Sequence, residues 1–141
     1  NGRLLKSFFH LVKEYIEENA FNYNLKESIP HLMKSFERLQ KTTAFLASNG
    51  LSDPEEGAGP ATEYLKMFAL TSLGYVWVRY IDIAHKKMND DPKGFYKAKI
   101  ATGEYFLKKI LPETGFLMSS ILSGAKTYNN FEDEYFESSF N

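Results

Sequence analysis

The longest apolar stretch of the chain, PATEYLKMFALTSLGYVWVRYIDIAHKKM from Pro60 to Met88, predicts the central helix of the fold. From Met67 to Val78 nearly every position is apolar, so this helix has no wholly polar side. Such a helix is surrounded either by other helices or by lipid. Arg79 and Asp82 close the run before it reaches the roughly 18 to 20 uncharged residues of a membrane span. We therefore expect the central helix of a soluble bundle, about 43 Å long.

Two amphipathic helices are predicted ahead of it, over Asn1 to Ala20 and over Leu25 to Ser48. Pro30 fits the first turn of the second helix, whose regular part is expected to begin near Ser28 or Ile29. Asn49 and Gly50 are typical of a helix end. The apolar faces consist of Leu4, Leu5, Phe8, Leu11, Val12, Tyr15 and Ile16, and of Ile29, Leu32, Met33, Phe36, Leu39, Thr43 and Leu46.

The segment LSDPEEGAG, Leu51 to Gly59, is predicted to be the flexible connector between the second and central helices. Residues 53–56 are expected to form at most one capped turn, which Gly57 and Gly59 end. Pro60 then takes the first position of the central helix, where its missing N–H costs nothing.

A fourth helix is predicted from Pro92 to Leu111, with Asp91 as its N-cap and Pro92 at its first position. Pro112 interrupts a pattern that otherwise continues to Leu122, so a kink or short break is expected there. Gly124 is expected to end this last helix.

These elements predict an all-α fold: an up-down-up-down four-helix bundle with a long central apolar helix and a kinked last helix. The bundle is expected to be one domain over residues 1–124, followed by an acidic, aromatic tail at 125–141. The tail is either a packed short turn with a loose end or an arm onto a neighbour. Because the chain does not begin with Met, we expect it to be a piece of a longer protein.

Composition narrows the classes of partner. With a net charge of −1 and cations scattered among acids, neither nucleic acid nor a membrane surface is expected as a partner. The chain has no Cys and no signal-peptide pattern, which fits a reducing, cytoplasmic compartment. The 12 Phe, 9 Tyr and 1 Trp fill either the core or a ligand cage or subunit interface.

No set of residues predicts catalysis. The three histidines, His10, His31 and His85, lack the Glu-x-x-His spacing of bundle di-metal sites. Asp82 and His85 are expected to pair near the surface or a helix end rather than to bind metal. No G-x-S-x-G elbow occurs, and the glycines of residues 57–59 do not form a phosphate loop. We therefore assign no catalytic, cofactor-binding or metal-binding residue.

Two residues of the central helix carry specific expectations. Arg79 follows the apolar run, so we expect it to be partly buried and paired with a carboxylate or with helix-end carbonyls. Two roles remain open for Arg79, that of a packing residue and that of a contact to a ligand anion. Trp77 is expected to be buried, with a cost of roughly 3–5 kcal/mol on replacement by Ala. Four tyrosines either line a pocket or rim the bundle: Tyr64, Tyr75, Tyr80 and Tyr105.

The second half of the chain resembles a known family. The string LGYVWVRY, Leu73 to Tyr80, and the later string KAKIATGEYFLKKILPETGFLMSSILSG, Lys97 to Gly124, are similar to the C-terminal domain of a subgroup of bacterial acyl-CoA dehydrogenases. That subgroup includes the 3-methylmercaptopropionyl-CoA dehydrogenase-like enzymes. The similar positions are Gly74, Trp77 and Arg79; Lys97, Ala101, Tyr105 and Phe106; and Leu111, Pro112 and Glu113.

The resemblance implies a parent enzyme that is FAD-dependent and oxidises an acyl-CoA thioester to its 2,3-enoyl form. In that family a glutamate takes the α-proton and flavin N5 takes the β-hydride. Flavin, base and thioester would be held by an upstream dehydrogenase region, so the fragment itself would bind no FAD. Its partners would be those upstream domains or a second subunit, with an interface role or a cover over part of the acyl-CoA cleft. The acidic end, Phe131 to Asn141, departs from the small apolar ending typical of the family.

A second interpretation remains beside it: a free-standing helical binding or interaction protein with a pocket lined by Phe and Tyr. The accessory-domain interpretation predicts that the gene continues upstream of Asn1 with a dehydrogenase. The binding-protein interpretation predicts a start codon within a few residues of Asn1 and an apolar ligand held by the isolated domain. An autonomous enzyme is the remaining alternative.

Overall fold

The computed structural model describes residues 2–50, 54–91 and 93–123 of the chain, and most of these residues are helical, with no strand among them. The all-α class is therefore confirmed. Within the described ranges, no helix has the length and apolarity needed to cross a membrane. The elements are α1 (Gly2–Glu18), a 3-10 turn (Tyr23–Leu25), α2 (Ser28–Phe45) with a π turn (Leu46–Gly50), α3 (Pro54–Lys86), a 3-10 turn (Met88–Asp90), α4 (Phe95–Tyr105) with a π turn (Phe106–Ile110), and α5 (residues 113–123).

α3 begins earlier than the sequence predicts. The backbone is helical from Pro54, so the expected connector with a single turn ended by Gly57 and Gly59 is wrong. A glycine inside a helix costs only about 1 kcal/mol relative to Ala, a preference that tertiary packing overrides. Pro60 lies inside α3 and is buried, so packing offsets the hydrogen bond that its ring removes.

The start of α4 also differs. Gly94, not Asp91, is the N-cap residue, and its φ of 72° is the left-handed conformation that glycine adopts without strain. Asp91 still serves the first turn, because its Oδ2 accepts a hydrogen bond from the backbone N–H of Lys97 at 3.0 Å. The predicted role of Pro92 at the first helical position lies outside the described residues.

The predicted break at Pro112 is confirmed. Regular helix ends with the π turn, Leu111 and Pro112 form a turn, and α5 follows. Thr114 stabilises this corner, because its buried hydroxyl donates to the Leu111 carbonyl at 2.9 Å. The same oxygen lies 3.0 Å from Ser35 Oγ and accepts from Arg38 Nη1 at 3.2 Å, which ties the corner to α2. Gly124, the predicted helix end, lies outside the described residues.

Aromatic contacts show how α1 lies along α3. The ring centroids of Phe8 and Phe68 are 4.8 Å apart, and those of Tyr15 and Tyr75 are 5.4 Å apart. Both pairs are separated by the same number of residues, so the two helices run parallel. Phe9 of α1 meets Phe36 of α2 edge to face, with centroids 5.6 Å apart.

α4 packs on the other side of α3 and runs antiparallel to it. The Cα of Gly103 faces Ile81 and Trp77, whereas Gly74 of α3 faces Leu111. Later residues of α4 therefore contact earlier residues of α3, as expected for antiparallel helices. The shared core is one cluster of buried apolar side chains: Val12, Ile16, Leu25, Ile29, Leu32, Phe36, Leu39, Met67, Leu70, Tyr75, Val78, Ile81, Phe106, Leu107, Leu111 and Leu117.

Candidate functional site

α3 carries an exposed apolar stripe along the side that faces away from the core. Its members recur three or four residues apart, so they share one side of the helix. From Leu65 to Ile83 the stripe is about 27 Å long. It consists of Leu65, Ala69, Leu73, Val76, Tyr80 and Ile83, and its five large side chains are between 38% and 68% exposed.

This stripe corrects the expectation of a helix enclosed by its neighbours. α1, α2 and α4 bury the opposite side of α3, where Met67, Val78 and Ile81 have no exposed surface. The stripe has a pattern in the sequence, since its positions recur at helical spacing. Because α3 has apolar residues on every side, the sequence does not indicate which of them stay exposed.

Trp77 joins the stripe to α4. It is half-buried rather than buried as predicted, because it lies at the seam between the two helices. A Cβ built on Gly103 would be 3.0 Å from Trp77 Cε3, and the Tyr80 ring lies edge-on to Trp77 with centroids 5.8 Å apart. Trp77 therefore touches α4 on one side and the exposed stripe on the other.

The α4 positions that turn toward the same outer side are also weakly polar. On α4 these positions lie at the same angle from the Gly103 contact as the stripe on α3 lies from its contact with α4. Because the two helices are antiparallel, equal angles place both sets on the same side of the helix pair. Phe95 and Tyr105 are more than half exposed. We call the α3 stripe together with Phe95, Ala98, Thr102 and Tyr105 the α3–α4 face.

Four cations border this face: Arg79 and Lys87 from α3 and its end, and Lys99 and Lys109 from α4 and its π turn. In the part of the chain that the structure describes, none of the four has a carboxylate within ion-pair distance. Three lie over rings instead: Arg79 over Tyr75 at 5.6 Å, Lys87 over Tyr96 at 6.0 Å and Lys99 over Phe95 at 5.4 Å. The face thus has an apolar centre and a basic margin.

Two other lysines near these helices are paired. Lys66 meets Glu113 at 2.7 Å, and Lys108 meets Glu27 at 3.9 Å. The four cations on the margin of the α3–α4 face have no such partner in the described part of the chain.

Arg79 does not occupy the partly buried, paired position that the sequence predicts. It is exposed, and among the described residues neither a carboxylate nor a carbonyl accepts from it. The reason is its angular position, since residue 79 falls between the α1-facing side of α3 and the stripe. Its contact with the Tyr75 ring is a cation–π interaction.

Asp82 forms a polar cluster with the α1–α2 turn, and the expected pairing with His85 is wrong. Its Oδ1 accepts from Asn22 Nδ2 at 3.0 Å, and its Oδ2 meets Lys86 Nζ at 3.0 Å. Burial opposes ionisation of this carboxyl, which is only 8% exposed, but hydrogen bonds from Lys86 and Asn22 outweigh it and lower the pKa of Asp82. Lys86 is one turn from Asp82 and points the same way, so it reaches the carboxylate.

Tyr15 lies beside this cluster. Its hydroxyl is buried and has no hydrogen-bond partner among the described residues. Burial, with the nearby Asp82 charge as a smaller cause, raises the pKa of Tyr15 to about 12. A phenol with so high a pKa stays neutral and is no general base at physiological pH.

The four tyrosines singled out from the sequence do not converge on one pocket. Tyr75 is buried in the core, and the Tyr64 hydroxyl lies 2.7 Å from Thr43 Oγ1. Tyr80 and Tyr105 are exposed on the α3–α4 face.

An open groove of about 390 Å³ lies between α1 and α2. Its apolar floor is Ile16, Met33 and Phe36, and its rim carries Lys13, Glu17, Glu37 and Gln40. No three His, Cys, Asp or Glu side chains within the described ranges are placed to share a metal ion. The α3–α4 face is therefore the most distinctive surface of the described chain.

Residues 8–132 match the family described as acetyl-CoA dehydrogenase C-terminal like, and this span covers most of the 141 residues. The match does not distinguish the subgroup that the sequence resembles. No curated protein matches the chain. Because this family model matches most of the chain, the protein is a member of the acetyl-CoA dehydrogenase C-terminal-like family.

Proposed function

We propose that this chain is the non-catalytic C-terminal helical domain of an FAD-dependent acyl-CoA dehydrogenase, whose parent enzyme oxidises acyl-CoA to 2,3-enoyl-CoA in the cytoplasm. The family match over residues 8–132 carries this proposal. We assign the parent to the 3-methylmercaptopropionyl-CoA dehydrogenase-like subgroup on the motifs around Trp77 and Pro112. The domain supports packing between subunits or between domains, and the exposed α3–α4 face supports that role.

We propose that the flavin is not held by this chain. The groove between α1 and α2 is open, and Glu17 and Glu37 outnumber Lys13 on its rim, which disfavours the pyrophosphate of FAD. A flavin that accepts hydride needs an enclosed site and a positioned base. We therefore place FAD and the acyl-CoA thioester in upstream domains of the parent, and we derive no chemical step from this chain.

We further propose the up-down-up-down four-helix arrangement with α3 as its central helix. The contact of Phe9 with Phe36, the parallel register of α1 with α3 and the antiparallel register of α3 with α4 support it. In this arrangement α5 continues the fourth helix after the break at Pro112.

The test is a visible absorption spectrum of the full-length gene product, recorded before and after anaerobic addition of acyl-CoA. We expect a yellow protein that bleaches on reduction. The 141-residue chain alone is the matched control, and we expect it to leave the spectrum and fluorescence of added FAD unchanged. A colourless full-length product, or a gene that starts at this domain, would contradict the proposal.

One observation favours a second function, that of a free-standing helical binding protein. The α1–α2 groove has an apolar floor of Ile16, Met33 and Phe36 at a size that suits a small ligand. This alternative predicts that the isolated chain binds an apolar ligand there. Met33→Lys would then abolish binding, whereas Leu65→Lys on the opposite surface would not.

A further inference from the structure

We propose that the acidic, aromatic C-terminal segment of this same chain, residues 125–141, docks on the α3–α4 face. The proposal rests on the packing role given above to that face and names its occupant. It is separate from the flavin assignment, because the colour of the full-length enzyme does not depend on what covers α3.

The composition of the segment matches the face. It holds one cation, Lys126, against four acids: Glu132, Asp133, Glu134 and Glu137. Five rings alternate with these acids: Tyr128, Phe131, Tyr135, Phe136 and Phe140. Aromatic side chains are the residues that fill apolar interfaces, and carboxylates are the partners that a basic margin selects.

The cations on the margin of the face lack carboxylate partners among the described residues. Arg79, Lys87, Lys99 and Lys109 have no carboxylate within ion-pair distance in the described part of the chain. Exposed ion pairs add little affinity singly, but together they set the orientation of a bound segment. The buried apolar contact then supplies the affinity.

The segment can reach the face. The ion pair of Lys66 with Glu113, at 2.7 Å, places the start of α5 beside the Leu65 end of the stripe, and α5 itself adds only about 15 Å to the path. From residue 124 to residue 141 an extended chain spans up to about 60 Å. The stripe is about 27 Å long. The family match also continues past the end of α5 to residue 132, so it includes Tyr128 and Phe131 of the segment.

A second copy of the chain is a poorer occupant. Two α3–α4 faces brought together would place one basic margin against another, and such like-charge contacts cost free energy. The tethered segment has the opposite charge and a local concentration of the order of millimolar. Its charge and its high local concentration both favour the chain's own segment over a second copy.

The experiment uses the absence of cysteine from the chain. Ser138→Cys in the 141-residue protein accepts one nitroxide spin label and keeps every aromatic and acidic residue of the segment. Backbone amide intensities are then compared between the oxidised and reduced label. We expect the amides of Leu73, Val76 and Tyr80 to lose most of their intensity, while those of Lys13 and Gln40 in the α1–α2 groove keep theirs.

Charge reversal supplies the matched variants. Glu132→Lys with Glu134→Lys in the segment should weaken the broadening at Tyr80, because repulsion misorients the bound segment, and so should Lys99→Glu with Lys109→Glu on the face. Combining the two pairs should bring the broadening back. Lys6→Glu with Lys13→Glu on α1 makes the same charge change as the face variant and should leave the broadening intact. An unchanged amide spectrum elsewhere shows that each variant is folded.

Two results would overturn the proposal. One is the absence of broadening on α3, which would leave the face to another part of the enzyme. The other is broadening that appears on an isotope-labelled chain mixed with a spin-labelled, unenriched chain, which would assign the face to a second copy.

Discussion

Gly103 of α4 lies directly against Ile81 of α3, at the closest approach between the two helices that the glycine positions show. A Cβ built on Gly103 would stand 2.8 Å from Ile81 Cγ1 and 3.0 Å from Trp77 Cε3. Real Cβ atoms do not come so near. The absence of a side chain at position 103 is thus what lets α4 close onto α3 at the seam that carries Trp77.

Gly103→Ala should therefore destabilise the chain by about 1–2 kcal/mol, because overpacking of the seam outweighs the helix preference of Ala. Urea unfolding measures the change. Gly74→Ala is the matched comparison: its Cβ would meet only the end of the Leu111 side chain, at 3.1 Å, and we expect a smaller loss. A Gly103→Ala protein as stable as the wild type would contradict this packing.

Trp77→Ala should cost about 2 kcal/mol, below the range for a fully buried tryptophan, because the side chain is half-buried. The free energy of unfolding in urea gives the value. Trp77→Phe should recover most of it, since a ring still fills the space beside Gly103. A loss of less than about 0.5 kcal/mol, which is typical of surface positions, would place Trp77 outside the seam.

Tyr15→Phe should leave stability unchanged or raise it by about 1 kcal/mol, because it removes a buried hydroxyl that has no partner among the described residues. The edge-to-face contact with Tyr75 is retained by the phenyl ring. Thermal unfolding at neutral pH tests this. A loss of stability would mean that the hydroxyl has a partner, such as an ordered water.

The same tyrosine predicts a pH dependence at the alkaline end. The pKa of Tyr15 is raised from 10.0 to about 12 in the folded chain, so its neutral form is favoured by folding. This contribution is complete below pH 10 and is lost as the pH rises from about 10 to about 12. Phenolate absorbance should show one tyrosine that titrates late, and Tyr15→Phe should remove it.

Asp82 predicts a pH dependence at the acid end. Its pKa is lowered in the folded chain, so its contribution is present above the pKa of the unfolded chain and is lost as the pH falls through the folded value. Asp82→Asn should cost about 1–2 kcal/mol at neutral pH. The wild type and the variant should converge in acid. Glu18→Gln on the exposed side of α1 is a suitable control, and a constant difference at all pH values would contradict the assignment.

The helices could be predicted because helical spacing of apolar residues is a local property of the chain. Helix-stop signals are local as well, but only some of them predict the observed helix ends. Pro112 breaks the last helix, since its ring and missing N–H act within one turn. Gly57 and Gly59 do not end a helix, because a glycine only lowers the preference for helix and packing around buried Pro60 decides the outcome.

The candidate site could not be predicted in the same way. The sequence predicts a partner for Arg79 and a pairing of Asp82 with His85, three positions away. The partner of Asp82 across the fold is instead Asn22, which is 60 residues distant in sequence. A spacing of three or four residues shows which side chains share a helix side, and it carries no information on which neighbouring helix arrives there.

The sequence by itself determined the helical class, the break at Pro112 and the family, because these depend on periodicity, on local backbone sterics and on matched positions along the chain. Only the tertiary structure decided where α3 begins, which side of α3 stays exposed and which groups meet Asp82 and Arg79. Those outcomes depend on the close approach at Gly103 and on many weak contacts between distant residues, which no short stretch of sequence contains.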